Sequence, residues 1–118
     1  MNADELRSRT KKLAIRIVQL AETLPSNYAT QVIAKQLIRS ATSVAANYRA
    51  VGRARSRADF VNKIGIVLEE ADETLFWLEM LSELKKVQGD EFQSILAETK
   101  EIVAIFTAAN KTSRTNRK

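Results

Sequence analysis

The chain has 118 residues, of which 45% are hydrophobic and 28% are charged, and its formal net charge is +5. This length fits one domain, and the hydrophobic fraction is typical of a globular chain rather than a disordered one. The sequence contains no cysteine and no histidine. It therefore excludes disulfides, thiolate metal sites and catalytic groups of the Ser-His-Asp or Cys-His type.

Neither a membrane segment nor a secretory signal is predicted. No apolar run approaches the roughly 18 residues that a membrane-spanning helix needs. The first residues, MNADELRSRTKKL, mix acids and bases and are not followed by an uninterrupted apolar stretch, unlike a signal peptide. We therefore expect a cytoplasmic location and no contact with a membrane. We also expect no cofactor.

Two helices are predicted in the first half of the chain. The first runs from about Asp4 to Leu24, and steps of three and four residues, broken only at Thr10, give an apolar stripe of Leu6, Leu13, Ile17, Leu20 and Leu24. Pro25 ends this helix. Ser26 or Asn27 is placed to cap a second helix, which Gly52 ends. Its stripe comprises Ala34, Leu37, Ala41, Val44, Tyr48 and Val51.

Two further helices are predicted in the second half. Ser56, with Asp59 three residues later, resembles a capping box at the start of the longest helix, of about thirty residues. Its apolar positions are Phe60, Ile64, Val67, Leu68, Ala71, Leu75, Leu78 and Leu81. Gly89 predicts the end of this helix and Asp90 the cap of a last helix with a shorter apolar face. That face comprises Phe92, Ile95, Leu96, Ile102, Val103 and Phe106.

Short connections between amphipathic helices are typical of antiparallel neighbours. The sequence thus predicts an all-α fold, an antiparallel up-and-down four-helix bundle over residues 1–110. The last eight residues, KTSRTNRK, contain no apolar position, and we expect 111–118 to form a disordered basic tail.

Charge is distributed unevenly along the chain. Residues 1–57 hold eleven Lys or Arg against three acids, residues 58–110 hold four against eleven, and the tail holds four against none. An acid-free run of arginines can follow a phosphate backbone, because arginine forks onto phosphate oxygens and releases counterions. The candidates for nucleic-acid binding are Arg7, Arg9, Lys11, Lys12, Arg16, Arg49, Arg53, Arg55 and Arg57. The alternative is structural, because the acidic third helix can neutralise the basic second helix within the bundle or across a subunit interface.

The acidic segment EEADE is the only candidate for catalysis or metal binding. Glu69, Glu70 and Glu73 place carboxylates on one helical face, where a divalent cation can bind. A charge run of this kind is more often a solvated or salt-bridged face, and we adopt that interpretation. The sequence therefore predicts no metal site and no enzymatic activity.

Three residues of the third helix bear on packing. Phe76 and Trp77 are adjacent and cannot both face one core, so we expect one of them to cover an interface between subunits. Gly65 interrupts an otherwise favourable helical sequence and predicts a close approach between helices.

The stretch from Leu37 to Leu81 resembles the core of the bacterial four-helix-bundle proteins encoded in intervening sequences of 23S ribosomal RNA genes. The similarity consists of an R-S-x-x-S-V-x-x-N-Y pattern, an R-A-R-S turn, and the D-F-x-x-K, E-E-A-x-E-T and W-L patterns that follow. These patterns keep a fixed register over about 45 residues, which makes them more specific than any single motif.

This resemblance implies an up-and-down bundle that assembles into a ring, with a homopentamer expected. It also implies kinship with the accessory variability protein of diversity-generating retroelements, a basic barrel of similar bundles that works with a reverse transcriptase and RNA. The polar positions of the patterns either bind a ligand or hold the bundle together, and the resemblance does not decide between the two. A physical argument favours the second role for several of them, because Arg39 on the second helix can reach Glu70 or Glu73 on an antiparallel third helix. This predicted structural polar network comprises Arg39, Asn47, Asp59, Lys63, Glu70 and Glu73.

Two hypotheses follow. In the first, the protein is an oligomeric accessory module that binds the backbone of RNA or DNA without reading bases. In the second, it is a protein-interaction scaffold whose uneven charge drives assembly or the docking of a protein partner.

Overall fold

The computed structural model describes residues 1–115 and contains four helices: α1 (Ala3–Glu22), α2 (Tyr28–Val51), α3 (Arg57–Glu83) and α4 (Asp90–Thr115). Consecutive helices pack side by side, and α4 returns to α1, so each helix contacts two neighbours. The predicted all-α antiparallel four-helix bundle is confirmed, and it measures 50 × 24 × 20 Å. None of the helices within 1–115 combines the length and apolar character that a bilayer crossing needs.

Side-chain caps start the first three helices. Asn2, Asn27 and Ser56 accept the backbone N–H three residues ahead, at 2.8, 3.0 and 3.1 Å. These bonds satisfy amide groups that have no partner inside the helix. The carboxylate of Asp59 accepts from the backbone N–H of Arg55 at 2.9 Å, rather than from Ser56, so only half of the predicted capping box forms.

The turn between α3 and α4 differs from the prediction. α3 ends at Glu83, six residues before Gly89, because Lys85 adopts a positive φ of 56°. The backbone N–H of Lys86 then bonds back to the Leu81 carbonyl at 2.9 Å, which closes the helix end. Gly89 has a φ of 107°, and Asp90 is the first residue of α4 rather than its cap.

The end of α4 is also longer than predicted. The helix continues through Thr115, so residues 111–115, which the sequence predicts to be disordered, are helical. Ser113 is buried, and its hydroxyl donates to the Asn110 carbonyl at 2.9 Å. Arg57, at the start of α3, donates to the Ser113 carbonyl at 3.4 Å. This contact, which the composition of the tail does not reveal, anchors the last turn. The rest of the predicted tail, 116–118, lies outside the described residues.

The core is formed by the apolar stripes of the four helices. Nearly all of the stripe positions predicted from periodicity are buried or pack against the buried cluster. The largest fully buried apolar side chains are Phe92, Phe106, Ile17, Leu37, Leu78, Leu81, Ile95, Ile102 and Val67. Their burial is the main favourable term for folding, because apolar surface leaves water.

A layer of hydroxyl groups crosses the middle of this core. Each helix contributes a fully buried Ser or Thr to this layer: Thr10, Ser40, Thr74 and Thr99. The hydroxyls of Thr74 and Ser40 lie 3.0 Å apart and join α3 to α2. Thr10 and Thr99 donate to carbonyls of their own helices. Thr10 is therefore part of the core face and not a break in it.

Gly65 lies beneath α4. A Cβ atom at this position would stand 3.3 Å from the guanidinium of Arg114 and 3.7 Å from the side-chain oxygen of Asn110. The close approach predicted at Gly65 thus involves the ends of two flexible side chains and not the backbone of another helix.

Candidate nucleic-acid interface

A groove between α1 and α2 brings four cationic side chains together at one end of the bundle. The two helices are antiparallel, so the first half of α1 lies beside the second half of α2. Arg7 and Lys11 stand on one side of the groove, and Arg49 and Arg53 stand on the other. The groove is open, with a volume of about 1010 Å³, and no acidic residue within 1–115 lines it.

The floor of the groove is apolar. Ala14, Ile15 and Val18 come from α1, and Ala45 and Ala46 come from α2. Small side chains on α2 leave this surface open, and Ile15 keeps 48% of its surface exposed. The groove is therefore basic at one end and apolar further along.

A second depression adjoins the groove, between the end of α2 and the start of α3. It is lined by Arg53 and Arg55 together with Ser56, Asp59 and Lys63. The ammonium group of Lys63 lies 2.8 Å from the Asp59 carboxylate. Lys63, and then the Arg55 backbone N–H, lower the pKa of Asp59, because both contacts favour its charged form. Within 1–115, the one acid that lines the depression forms its ion pair with Lys63, and the nearby charge of Arg55 also lowers the pKa of this acid.

Two arginines of the predicted set face α4 and are paired there. Arg9 contacts Glu98 at 2.6 Å and Glu101 at 3.0 Å, and these carboxylates raise its pKa, with the Glu98 hydrogen bond as the largest cause. Arg16 contacts Glu91 at 3.2 Å. Their charges stabilise the edge between α1 and α4, which is the least closely packed of the four helix pairs.

The sequence contains a signal for these pairs that a count of charges along the chain does not reveal. Arg9 and Arg16 are seven residues apart, and so are Glu91 and Glu98. Equal spacing of opposite charges on two antiparallel helices predicts ion pairs along their shared edge. Separations of 89 and 75 residues in the chain concealed this match.

The remaining candidates fall into two groups. Arg7 pairs with Asp4 one turn away, and Arg57 bonds to the last turn of α4. Lys12 is exposed on α1 between Arg9 and Arg16. Of the predicted set, Lys11, Arg49, Arg53 and Arg55 lie together at one end without an ion pair to any residue of 1–115.

Arg39 links α2 to the acidic face of α3. It pairs with Glu70 at 3.1 Å and with Glu73, and Glu73 also accepts from the indole N–H of Trp77 at 3.1 Å. Both contacts lower the pKa of Glu73, with the Trp77 bond first, and the two carboxylates raise the pKa of Arg39. Asn47 is separate, because it donates to the Ser43 carbonyl of its own helix at 2.8 Å.

These contacts also show what the carboxylates of the acidic segment EEADE do. Glu70 and Glu73 are engaged by Arg39, while Glu69 is exposed. Within residues 1–115, no group of three or more acidic side chains is arranged to hold a metal ion.

Phe76 and Trp77 have different environments. Their rings meet edge to face, with centroids 4.9 Å apart. Trp77 packs partly against the core, whereas Phe76 keeps 49% of its surface exposed. Of these two aromatic residues, Phe76 is thus the one available for contact with another molecule.

The family comparison agrees with this architecture. A family model described as 23S rRNA-intervening sequence protein matches residues 5–108. The chain belongs to this family. A crystal structure from the S23 ribosomal protein family of Bacteroides thetaiotaomicron, described as a protein with unknown function, is 36% identical and has a TM-score of 0.83. The match covers 94% of this chain and 99% of that one. No curated protein matches the chain.

Proposed function

We propose that this family member is a non-enzymatic, self-associating helical module that binds the sugar-phosphate backbone of RNA or DNA. The observation that carries the proposal is the placement of Lys11, Arg49, Arg53 and Arg55 at one end of the bundle, where none of them forms an ion pair with another residue of 1–115. Cations that are not neutralised inside the protein release counterions when they meet phosphates. Arginine adds geometric fit, because its guanidinium forks onto phosphate oxygens.

The chemistry of the site favours the backbone over the bases. Neither the groove nor the adjoining depression is lined by an aromatic side chain from residues 1–115, so no ring is placed to stack on a base. Affinity from phosphate contacts alone carries no direct sequence information. The proposal therefore assigns the protein little preference among sequences.

The proposal assigns no catalytic step. The chain contains no histidine or cysteine, and the carboxylates that are most plausible as catalysts, Glu70 and Glu73, form ion pairs with Arg39. We further propose a role as an accessory module within a homo-oligomer, for which a pentamer is the proposed size.

A scaffold that binds only protein is the second candidate. It is favoured by ion pairs that Arg9, Arg16 and Arg39 form across helix boundaries, because these show that part of the uneven charge serves the bundle itself. Exposed Phe76 supplies a contact surface for a protein partner.

Binding to a fluorescent 20-mer oligonucleotide distinguishes the two candidates. We expect Arg53→Ala with Arg55→Ala to weaken binding at least tenfold, because two phosphate contacts are lost. The matched control, Arg9→Ala with Arg16→Ala, removes the same charge from paired positions and should stay within threefold of the wild type. Absence of wild-type binding at low salt, or an equal loss in both variants, would reject the nucleic-acid role and favour the scaffold.

A further inference from the structure

The outer face of α3 carries an acidic stripe that has no partner in the bundle. Exposed residues recur at steps of three and four: Ile66, Glu69, Asp72, Phe76, Glu79 and Glu83. None of the four acids forms an ion pair with another residue of 1–115. Phe76 is central, with acids seven and four residues before it and three and seven residues after it. The stripe is therefore an exposed aromatic ring with negative charge on both sides.

The α1–α2 groove has the opposite character. Its basic end is formed by Arg7, Lys11, Arg49 and Arg53, and its apolar floor follows one turn further along. Each surface exposes hydrophobic atoms next to charge, and the two charges are of opposite sign. Complementary charge steers encounter and fixes the register of a contact, while the apolar part is buried on association.

From this complementarity we infer that the acidic stripe of one copy docks into the α1–α2 groove of a second copy. This inference rests on the self-association proposed above and identifies the two surfaces that would meet. Phe76 covers the apolar floor at Ile15 and Ala45. An acid one turn away then meets Lys11 and Arg49.

The helical spacings support this fit. Lys11 precedes Ile15 by four residues, and Arg49 follows Ala45 by four, so charge and floor are separated by about 6 Å along each helix. Asp72 and Glu79 lie four residues before and three residues after Phe76, so each is about 5–6 Å from the ring along α3. The spacing therefore matches with either direction of the docked helix.

The contact has consequences for assembly and for phosphate binding. The stripe and the groove are different surfaces of one molecule, so each copy offers both. A contact between two different surfaces is heterologous, and its repetition builds a ring or an open chain. It engages Lys11 and Arg49. Of the four cations proposed to bind phosphate, Lys11 and Arg49 are therefore occupied in the assembly. Phosphate is left to Arg53, which lines both the groove and the depression beside the start of α3, and to Arg55, which lines the depression alone.

Reciprocal charge reversal tests the inference by sedimentation velocity at about 0.1 M salt, where surface charges still interact. The groove variant is Lys11→Glu with Arg49→Glu, and the stripe variant is Asp72→Lys with Glu79→Lys. Each variant alone places like charges against each other at the contact positions and should sediment as a monomer. An equimolar mixture should regain assemblies in which the two variants alternate, as open chains or even-numbered rings and not as a pentamer, because the reversed groove positions of one variant then face the reversed stripe positions of the other.

Phe76→Ala supplies an independent test without a change of charge and should weaken self-association at least tenfold. Variants that each retain the wild-type mass, or a mixture that stays monomeric, would overturn the docking inference and leave both phosphate binding and self-association intact. A wild-type protein that is monomeric at every concentration would remove the inference together with self-association, but not phosphate binding.

Discussion

Salt dependence gives a quantitative prediction for the candidate interface. The perturbation is Arg53→Ala with Arg55→Ala, which removes the two arginines that line the depression beside the start of α3. Each neutralised phosphate contributes about −0.9 to the slope of log affinity against log salt on duplex DNA and about −0.7 on a single strand. The variant should therefore have a slope shallower than that of the wild type by about 1.8 on a duplex and about 1.4 on a single strand.

The assay is fluorescence anisotropy with a labelled oligonucleotide between about 50 and about 200 mM salt. Over this fourfold range, the wild type should lose about 12-fold more duplex affinity than the variant. Arg9→Ala with Arg16→Ala is the control, and its slope should equal that of the wild type, because these arginines are paired with Glu98 and Glu91. Equal slopes for the wild type and the Arg53/Arg55 variant would refute the assignment of phosphate contacts to this end of the bundle.

Three further predictions concern the fold. Ile17 is fully buried and Ile15 is 48% exposed, so in urea denaturation Ile17→Ala should cost about 2–5 kcal/mol and Ile15→Ala less than about 1 kcal/mol. Gly65→Ala should stabilise the protein by up to about 1 kcal/mol, because the added methyl group meets only flexible side-chain ends; a lower melting temperature would contradict this. The pKa values of Asp59 and Glu73 are lowered by folding, so the unfolded chain takes up these protons first as the pH falls. The two carboxylates stabilise the folded protein fully above about pH 4, and this stabilisation is lost as the pH falls through their lowered pKa values in the folded state. The urea concentration at the unfolding midpoint should therefore fall in acid. It should fall less in Glu73→Gln, which has one of these carboxylates removed.

The helices and most of their starts were predictable because their signals are local. Asn27 and Ser56 cap through contacts three residues ahead, and the apolar stripes repeat within single helices. The end of α3 was predicted at Gly89 but lies at Glu83. Glycine is preferred where φ is positive, yet Lys85 adopts that conformation here, and residue preference alone does not identify such a position.

Which cations belong to the interface depends on how each helix is rotated about its axis in the bundle. Counting charges along the sequence does not give this rotation. Nine cations were predicted as candidates on the basis of charge. The structure assigns Arg9 and Arg16 to α4 and brings Lys11 beside Arg49 across two helices. Likewise, the helical turn around Ser113 depends on a contact from Arg57, 56 residues earlier, which overrides the polar composition of the segment.

Arginine side-chain NMR tests the central claim most directly, because each guanidinium Nε–H group gives its own signal. Titration of the full chain with an unlabelled oligonucleotide at low salt should shift the signals of Arg53 and Arg55, with those of Arg9 and Arg16 unchanged. Shifts of similar size at all four arginines, or none at Arg53 and Arg55 while the oligonucleotide is bound, would contradict the claim that the unpaired cations beside α3 form the phosphate-binding surface.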